Sequence, residues 1–212
     1  IVNPLVRNEE ILYQLNGMSM YSSTNTEEMW NFVKNMGFEN LENRFQYAGS
    51  TEVMDMLLGI RYLFCRNTRT LHTAYKKIAE SQSFDLYENP RALRSGYMVS
   101  DSVLDYAMEG TDPLEVQNRL LSGIVGKRLY KMQTVNSDTA LIGNTTFNIH
   151  LKKGEHGYLY IPGTEPDTVT INGQEQKSDY WNNNFLDLGT YNVDTIVQVT
   201  TGTGMHEAVL GT

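Results

Sequence analysis

Thr145-Thr146-Phe147-Asn148-Ile149-His150-Leu151-Lys152 alternates polar and apolar residues, with Phe147, Ile149 and Leu151 falling at every second position. A period of two is that of a strand with one face on a core and the other in solvent. Similar short segments at 129–135, 139–142, 157–162, 168–171, 185–188 and 195–200 are separated by turn residues. Short strands with this spacing suggest an all-β sandwich over 129–212, antiparallel and jelly-roll-like. Ile171-Asn172-Gly173-Gln174 is the sharpest local mark, because Asn-Gly supplies the two positive φ angles of a tight hairpin. Gly202-Thr203-Gly204 follows what reads as the final strand and is expected to be a turn.

Residues 1–128 mix helix and strand patterns, so the composition shift near 128 is the expected domain boundary. Ser23-Thr24-Asn25-Thr26 offers caps before Glu27, Glu28 and the apolar set Met29, Trp30, Phe32, Val33 and Met36, with Gly37 as a stop, which predicts a capped helix. Thr51 is expected to cap a helix through about Leu58, ended by Gly59 and followed by a strand over 60–65. Strand pieces are expected at 75–81, 84–88 and 96–99, with Asn89-Pro90 as a turn, and a helix over 101–108 capped by Ser100. Asp112-Pro113 opens a helix over 114–125, with Gly126 just beyond its end. The expected fold class is α+β: an N-terminal mixed α/β layer followed by the C-terminal antiparallel β-sandwich.

The 212 residues carry 17 Lys and Arg against 25 Asp and Glu, a net charge of −8. Neither half hides a basic region: residues 1–112 hold 10 basic and 15 acidic side chains, and 113–212 hold 7 and 10. Nucleic acid is therefore not an expected partner. At 40% hydrophobic and 20% charged residues the chain has enough apolar material for a packed core. The single cysteine, Cys65, excludes a disulfide framework or a multi-thiolate metal site within the chain, and its place in Ile60-Arg61-Tyr62-Leu63-Phe64-Cys65 suggests a packing role. No stretch approaches the ~20 apolar residues that cross a bilayer. A start at Ile1 without a signal-peptide pattern suggests a piece of something larger.

Chemistry-bearing motifs are scarce. There is no phosphate-cradling glycine loop and no nucleophile elbow. His150 and His156 flank a Lys-Gly-Glu turn, where two strands of a hairpin would bring them face to face, but no third metal ligand accompanies them. Asp101, Asp105 and Glu109 recur at i, i+4 and i+8, the spacing of one charged helix face. No catalytic set, metal or cofactor is expected. Asp179-Tyr180-Trp181-Asn182 places a Trp in a polar segment, where its ring would stack on a sugar while Asp179 and Asn182 bond hydroxyls, or would fold back as a lid.

Several pieces in order resemble one family. Tyr21-Ser22-Ser23, the segment from Phe32 to Gly37, Tyr47-Ala48-Gly49-Ser50-Thr51, and Leu57-Leu58-Gly59-Ile60-Arg61-Tyr62-Leu63 are similar to the extracytoplasmic region of the YfhO family of bacterial polytopic membrane proteins. Leu86-Tyr87-Glu88-Asn89-Pro90, Ala92-Leu93-Arg94-Ser95-Gly96-Tyr97-Met98-Val99 and the segment from Pro113 through Gln117 and Asn118 extend the likeness over about residues 10–130. Arg94 stands where the family pattern has a proline after Leu93.

The resemblance implies the soluble outer portion of a membrane glycosyltransferase of the GT-C type, decorating teichoic acid, including lipoteichoic acid, or other cell-surface glycans of Gram-positive bacteria from a lipid-linked sugar. In such proteins the catalytic carboxylate lies between early transmembrane helices, so no residue here is carried over as catalytic. The implied partners are the transmembrane part of the same chain and a cell-surface glycan or lipid-linked sugar. Two other readings stand beside it: a carbohydrate-binding module using Asp179, Tyr180, Trp181 and Asn182, and a scaffold packing on membrane loops.

Overall fold

The computed structural model describes residues 8–38, 40–41, 43–66, 75–106, 110, 112–141, 144–163, 166–176, 184–202 and 207–212. In chain order the N-terminal region contains α1 (Glu9–Leu12), β1 (Met20–Tyr21), α2 (Glu27–Asn35), β2 (Asn40–Leu41), β3 (Arg44–Phe45) and α3 (Glu52–Leu57). It continues through β4 (Tyr62–Cys65), β5 (Lys76–Glu80), β6 (Asp85–Glu88), a 3-10 turn (Asp101–Asp105) and α4 (Pro113–Val125). The C-terminal region is strands: β7 (Met132–Asn136), β8 (Thr139–Leu141), β9 (Asn144–Leu151), β10 (His156–Tyr160), β11 (Val169–Ile171), β12 (Gln174–Gln176), β13 (Phe185–Thr190), β14 (Thr195–Thr201) and β15 (Glu207–Gly211). All strand pairs are antiparallel, in four sheets ordered β1-β3-β2, β4-β6-β5, β13-β10-β15-β7 and β12-β11-β14-β9-β8. The fold class is α+β.

Caps set the helices. The Thr26 hydroxyl accepts from the Met29 amide and starts α2, the Thr51 hydroxyl accepts from the Met54 amide and starts α3, and Asp112 accepts from the Leu114 amide at the head of α4. Pro113 occupies the first turn of α4, where its missing N–H costs nothing, and Gly126 ends the helix in the left-handed region. Gly37 leaves α2 at φ 91, and a Cβ there would come within 2.9 Å of the Pro113 ring, so a glycine lets the end of α2 close on the start of α4.

The four-stranded sheet is apolar on both faces. Tyr158 and Phe185 belong to a buried cluster with Val33 and Met36 at the end of α2, Met54 of α3, and Leu114 and Leu121 of α4. Their chain neighbours Leu159 and Leu186 belong to a second cluster with Phe147, Ile149 and Leu151 of β9 and Val197 and Val199 of β14. Strand alternation thus sends successive residues of β10 and β13 into two different cores. The α/β layer and the strand region share the first of them.

Several expectations are corrected. Residues 96–99 are irregular rather than a strand, and Met98 is 97% exposed. The expected helix over 101–108 is a 3-10 turn of Asp101–Asp105, from which Tyr106 leaves in extended conformation, so Asp101 and Asp105 do not stack on a helical face; Glu109 lies outside the described residues. The strand over 195–200 is not the final one, because β15 follows and pairs with both β7 and β10. Strands β9 and β10 enter different sheets, so His150 and His156 do not face each other across a hairpin. The Asn172-Gly173 turn does form the β11–β12 hairpin, with φ of 51° and 77°.

Leu159 is fully buried between strands, and Leu159→Ala is expected to lower unfolding free energy by about 2–5 kcal/mol. Urea titration followed by circular dichroism checks this.

Candidate functional site

Two polar constellations stand out, one buried and one open. The buried one begins at α3. The Asp55 carboxylate, 2% exposed, accepts hydrogen bonds from the hydroxyls of Tyr47 (2.5 Å), Ser50 (2.5 Å) and Tyr75. One turn earlier the Thr51 hydroxyl donates to Gln117 Oε1 at 2.9 Å, the Tyr130 hydroxyl approaches both of those oxygens at 3.0 and 3.1 Å, and Gln117 Nε2 donates to the Met36 carbonyl at 2.8 Å. Asn118 accepts from the Leu129 and Tyr130 amides and donates to the Tyr130 carbonyl. The Glu52 amide donates to the Tyr158 hydroxyl on β10. These bonds join the end of α2, α3 and α4 to the strand region.

The arrangement holds hydroxyls in their neutral form. Burial, reinforced by the Asp55 charge, pushes the Tyr75 phenol far above its ordinary 10.0. Burial likewise raises Tyr130 and Tyr158, the latter with help from Asp187. Beside them, His156 lies 2.8 Å from Asp187 Oδ1 through Nε2 and 2.8 Å from the Thr190 hydroxyl through Nδ1, with its ring 4.6 Å from that of Tyr158. Burial disfavours its charge, but the hydrogen bond and charge of Asp187 outweigh that, and its pKa is raised above 6.5. The set acts as a structural lock, since its hydrogen bonds tie α3 to α4, to the end of α2 and to β10.

The open constellation is a groove of about 540 Å³ where the start of β7 approaches the end of β9 and the start of β14. Strand β8 pairs with β9 only from Asn144 to Thr146, which leaves the far end of β9 without a strand on that side among the described residues. Lys131, His150, Lys152, Glu155 and Asp194 supply charge and polarity; Met132, Leu151, Ile196 and Leu210 supply apolar wall. Glu155 and Asp194 accept from the Lys152 and Lys153 backbone amides at 2.9 and 2.8 Å. The side chains of Lys131, His150 and Lys152 make no hydrogen bond or ion pair among the described residues.

Asp179, Tyr180, Trp181 and Asn182 lie outside the described residues. The residues that flank them, Gln176 and Asn184, stand at the strand ends opposite the groove, because Gln176 pairs with Val169, which pairs with Thr201, while the groove lies at the Thr195 end of β14. Cys65 is buried beside Leu63. Among the described residues no helix is long and apolar enough to cross a membrane.

The geometry defines an α+β domain built on a doubly covered antiparallel sheet, with polar residues locking its layers. The chain belongs to the YfhO family: the model of "Bacterial membrane protein YfhO" matches residues 1–206. No curated protein and no solved structure matches it significantly. The matched region includes every residue of the buried network, Tyr47, Ser50, Thr51, Gln117 and Asn118 at its centre among them.

Asp55→Ala strands the half-buried hydroxyls of Tyr47, Ser50 and Tyr75 and is expected to cost about 2 kcal/mol, read from the urea midpoint. A raised phenol pKa favours the folded state only while the unfolded tyrosines stay neutral. Stability is therefore expected to fall as pH rises past 10.0, and Tyr75→Phe to blunt that fall. His156, with its raised folded value, adds stability below 6.5 that fades as pH rises through that value; His156→Gln is expected to narrow the stability difference between pH about 5.5 and about 8.5.

Proposed function

We propose that the chain is an extracytoplasmic, non-catalytic domain of a polytopic membrane protein that serves glycosylation of teichoic acid or another cell-surface glycan from a lipid-linked sugar. The observation that carries this reading is the family match across residues 1–206 in a chain whose described residues offer no membrane-crossing helix. The transmembrane part of the same protein is then its first partner. Residues 129–212 act as a β-sandwich, for which the shared apolar cluster of the four- and five-stranded sheets speaks, and residues 1–128 form a mixed layer docked on it. Met98 and Leu104, 97% and 83% exposed on that layer, are the side chains best suited to meet membrane loops.

A second reading, carbohydrate binding, is favoured by the groove at the end of β9, which combines unpaired polar side chains with apolar wall. Asp179, Tyr180, Trp181 and Asn182 remain a separate candidate platform for the same role. Trp181→Ala is expected to abolish any sugar-induced change in Trp fluorescence if they form it.

The topology is tested in intact cells with the full-length protein carrying Cys65→Ala and Glu175→Cys, an exposed position on the edge strand β12. Labelling by a membrane-impermeant maleimide without permeabilisation is expected. Labelling that requires permeabilisation contradicts the reading. The isolated chain is expected to transfer no sugar from a polyprenyl-phosphate donor, and measurable turnover contradicts the non-catalytic role.

A further inference from the structure

We propose that the groove at the end of β9 grips the phosphate group of a sugar- or polyol-phosphate chain through Lys131, Lys152 and His150. The inference deepens the carbohydrate-binding reading and rests on it.

The groove counts two lysines against two acids, yet the two signs are not equally available. Glu155 and Asp194 are engaged with the turn amides of Lys152 and Lys153, bonds that fix the turn and satisfy part of each carboxylate. The ammonium groups of Lys131 and Lys152 have no such partner among the described residues, and neither does the His150 imidazole. The lining is charge-balanced, two ammoniums against two carboxylates, but the carboxylates are held by the turn amides while the ammoniums are free to turn toward an added anion. Two ammoniums are point charges that suit a phosphate, and the two ring nitrogens of His150 add hydrogen-bonding capacity toward an oxygen or a hydroxyl.

The remaining wall fits the rest of such a ligand. Ile196, 56% exposed, stands directly across from His150 in the β14–β9 register and supplies the open apolar surface, while Leu151 and Leu210 border the groove from the buried cluster behind it. This gives a carbon-bearing ring face an apolar surface. From His150 and Ile196 the outward side of the same two strands continues as Gln198 with Asn148 at 3.3 Å and Thr200 with Thr146 at 3.2 Å. A row of amides and hydroxyls without charge offers hydrogen bonds to successive hydroxyls of a chain leaving the groove. Anion at one end and hydroxyls along the strand describe a phosphorylated glycan or polyol better than a simple ion.

The test is titration of the chain with glucose 1-phosphate, glucose and inorganic phosphate, followed by calorimetry and by amide shifts of β7, β9 and β14. Glucose 1-phosphate is expected to bind more tightly than either control, with shifts confined to the groove and affinity falling with salt. Lys131→Gln with Lys152→Gln is expected to weaken it by about tenfold or more, and Lys131→Arg with Lys152→Arg to retain it. Both pairs alter exposed side chains, and circular dichroism verifies the fold. Equal binding of glucose and glucose 1-phosphate, equal binding of inorganic phosphate, no binding, or an unchanged affinity in the glutamine variant each overturns the inference. Glucose binding alone would leave the carbohydrate reading standing, whereas failure of every probe together with labelling only after permeabilisation would remove both.

Discussion

Thr51 meets Gln117 and Tyr130 in a dry contact between residues 66 and 79 positions apart, and the placement of every layer follows from it. Inside a low-dielectric core each of these groups is costly unless paired, so the three side chains tolerate one mutual arrangement. That arrangement fixes α3 against α4. With α3 fixed, Asp55 meets its three hydroxyls, the Glu52 amide reaches Tyr158, and the helical layer acquires a defined position over the four-stranded sheet. Apolar burial supplies the bulk of the driving force, while the polar lock selects one packing among many.

Residues that carry a family likeness are often taken to carry its chemistry. Here they do something else. Tyr47, Ser50, Thr51, Gln117 and Asn118 are spent on the buried network, and Asn89 in the Glu-Asn-Pro piece donates to the Ile60 carbonyl while accepting from the Arg91 amide. In this chain these residues build the scaffold. The groove proposed to take a ligand lies elsewhere, among the C-terminal strands, where strand ends meet.

Much of the fold is legible in the sequence because its signals are local. The alternation in β9, the Asn172-Gly173 hairpin, the cap cluster at Ser23–Thr26, from which the structure uses Thr26, and the helix starts at Thr51 and Asp112 each depend on neighbours within a few residues. What escapes depends on distance. The two-residue strands β1, β2 and β3 have no period to detect, and β15, five residues with a single polar edge, gains its strand character from β7 and β10 on either side. Residues 101–105 carry helix-like spacing, yet they pack as a tight turn on Gly123, where a Cβ would approach Val103 within 3.2 Å. Thr51 is readable as a cap but not as the partner of Gln117. The sequence sets His150 beside His156, whereas its neighbours in the groove, Lys131 and Ile196, come from segments remote along the chain.

The polar lock and the shared apolar cluster join the helical layer to the C-terminal strands, so the two are expected to unfold together. In the Trp181→Phe variant, Trp30 of α2 remains the sole Trp and reports the helical layer by fluorescence, while far-ultraviolet circular dichroism reports the helices and strands of the whole chain together. Urea unfolding should give coincident midpoints by both signals, and Gln117→Leu should move both together to lower urea. Two separated transitions, or a Gln117→Leu shift seen by Trp30 alone, would contradict the account.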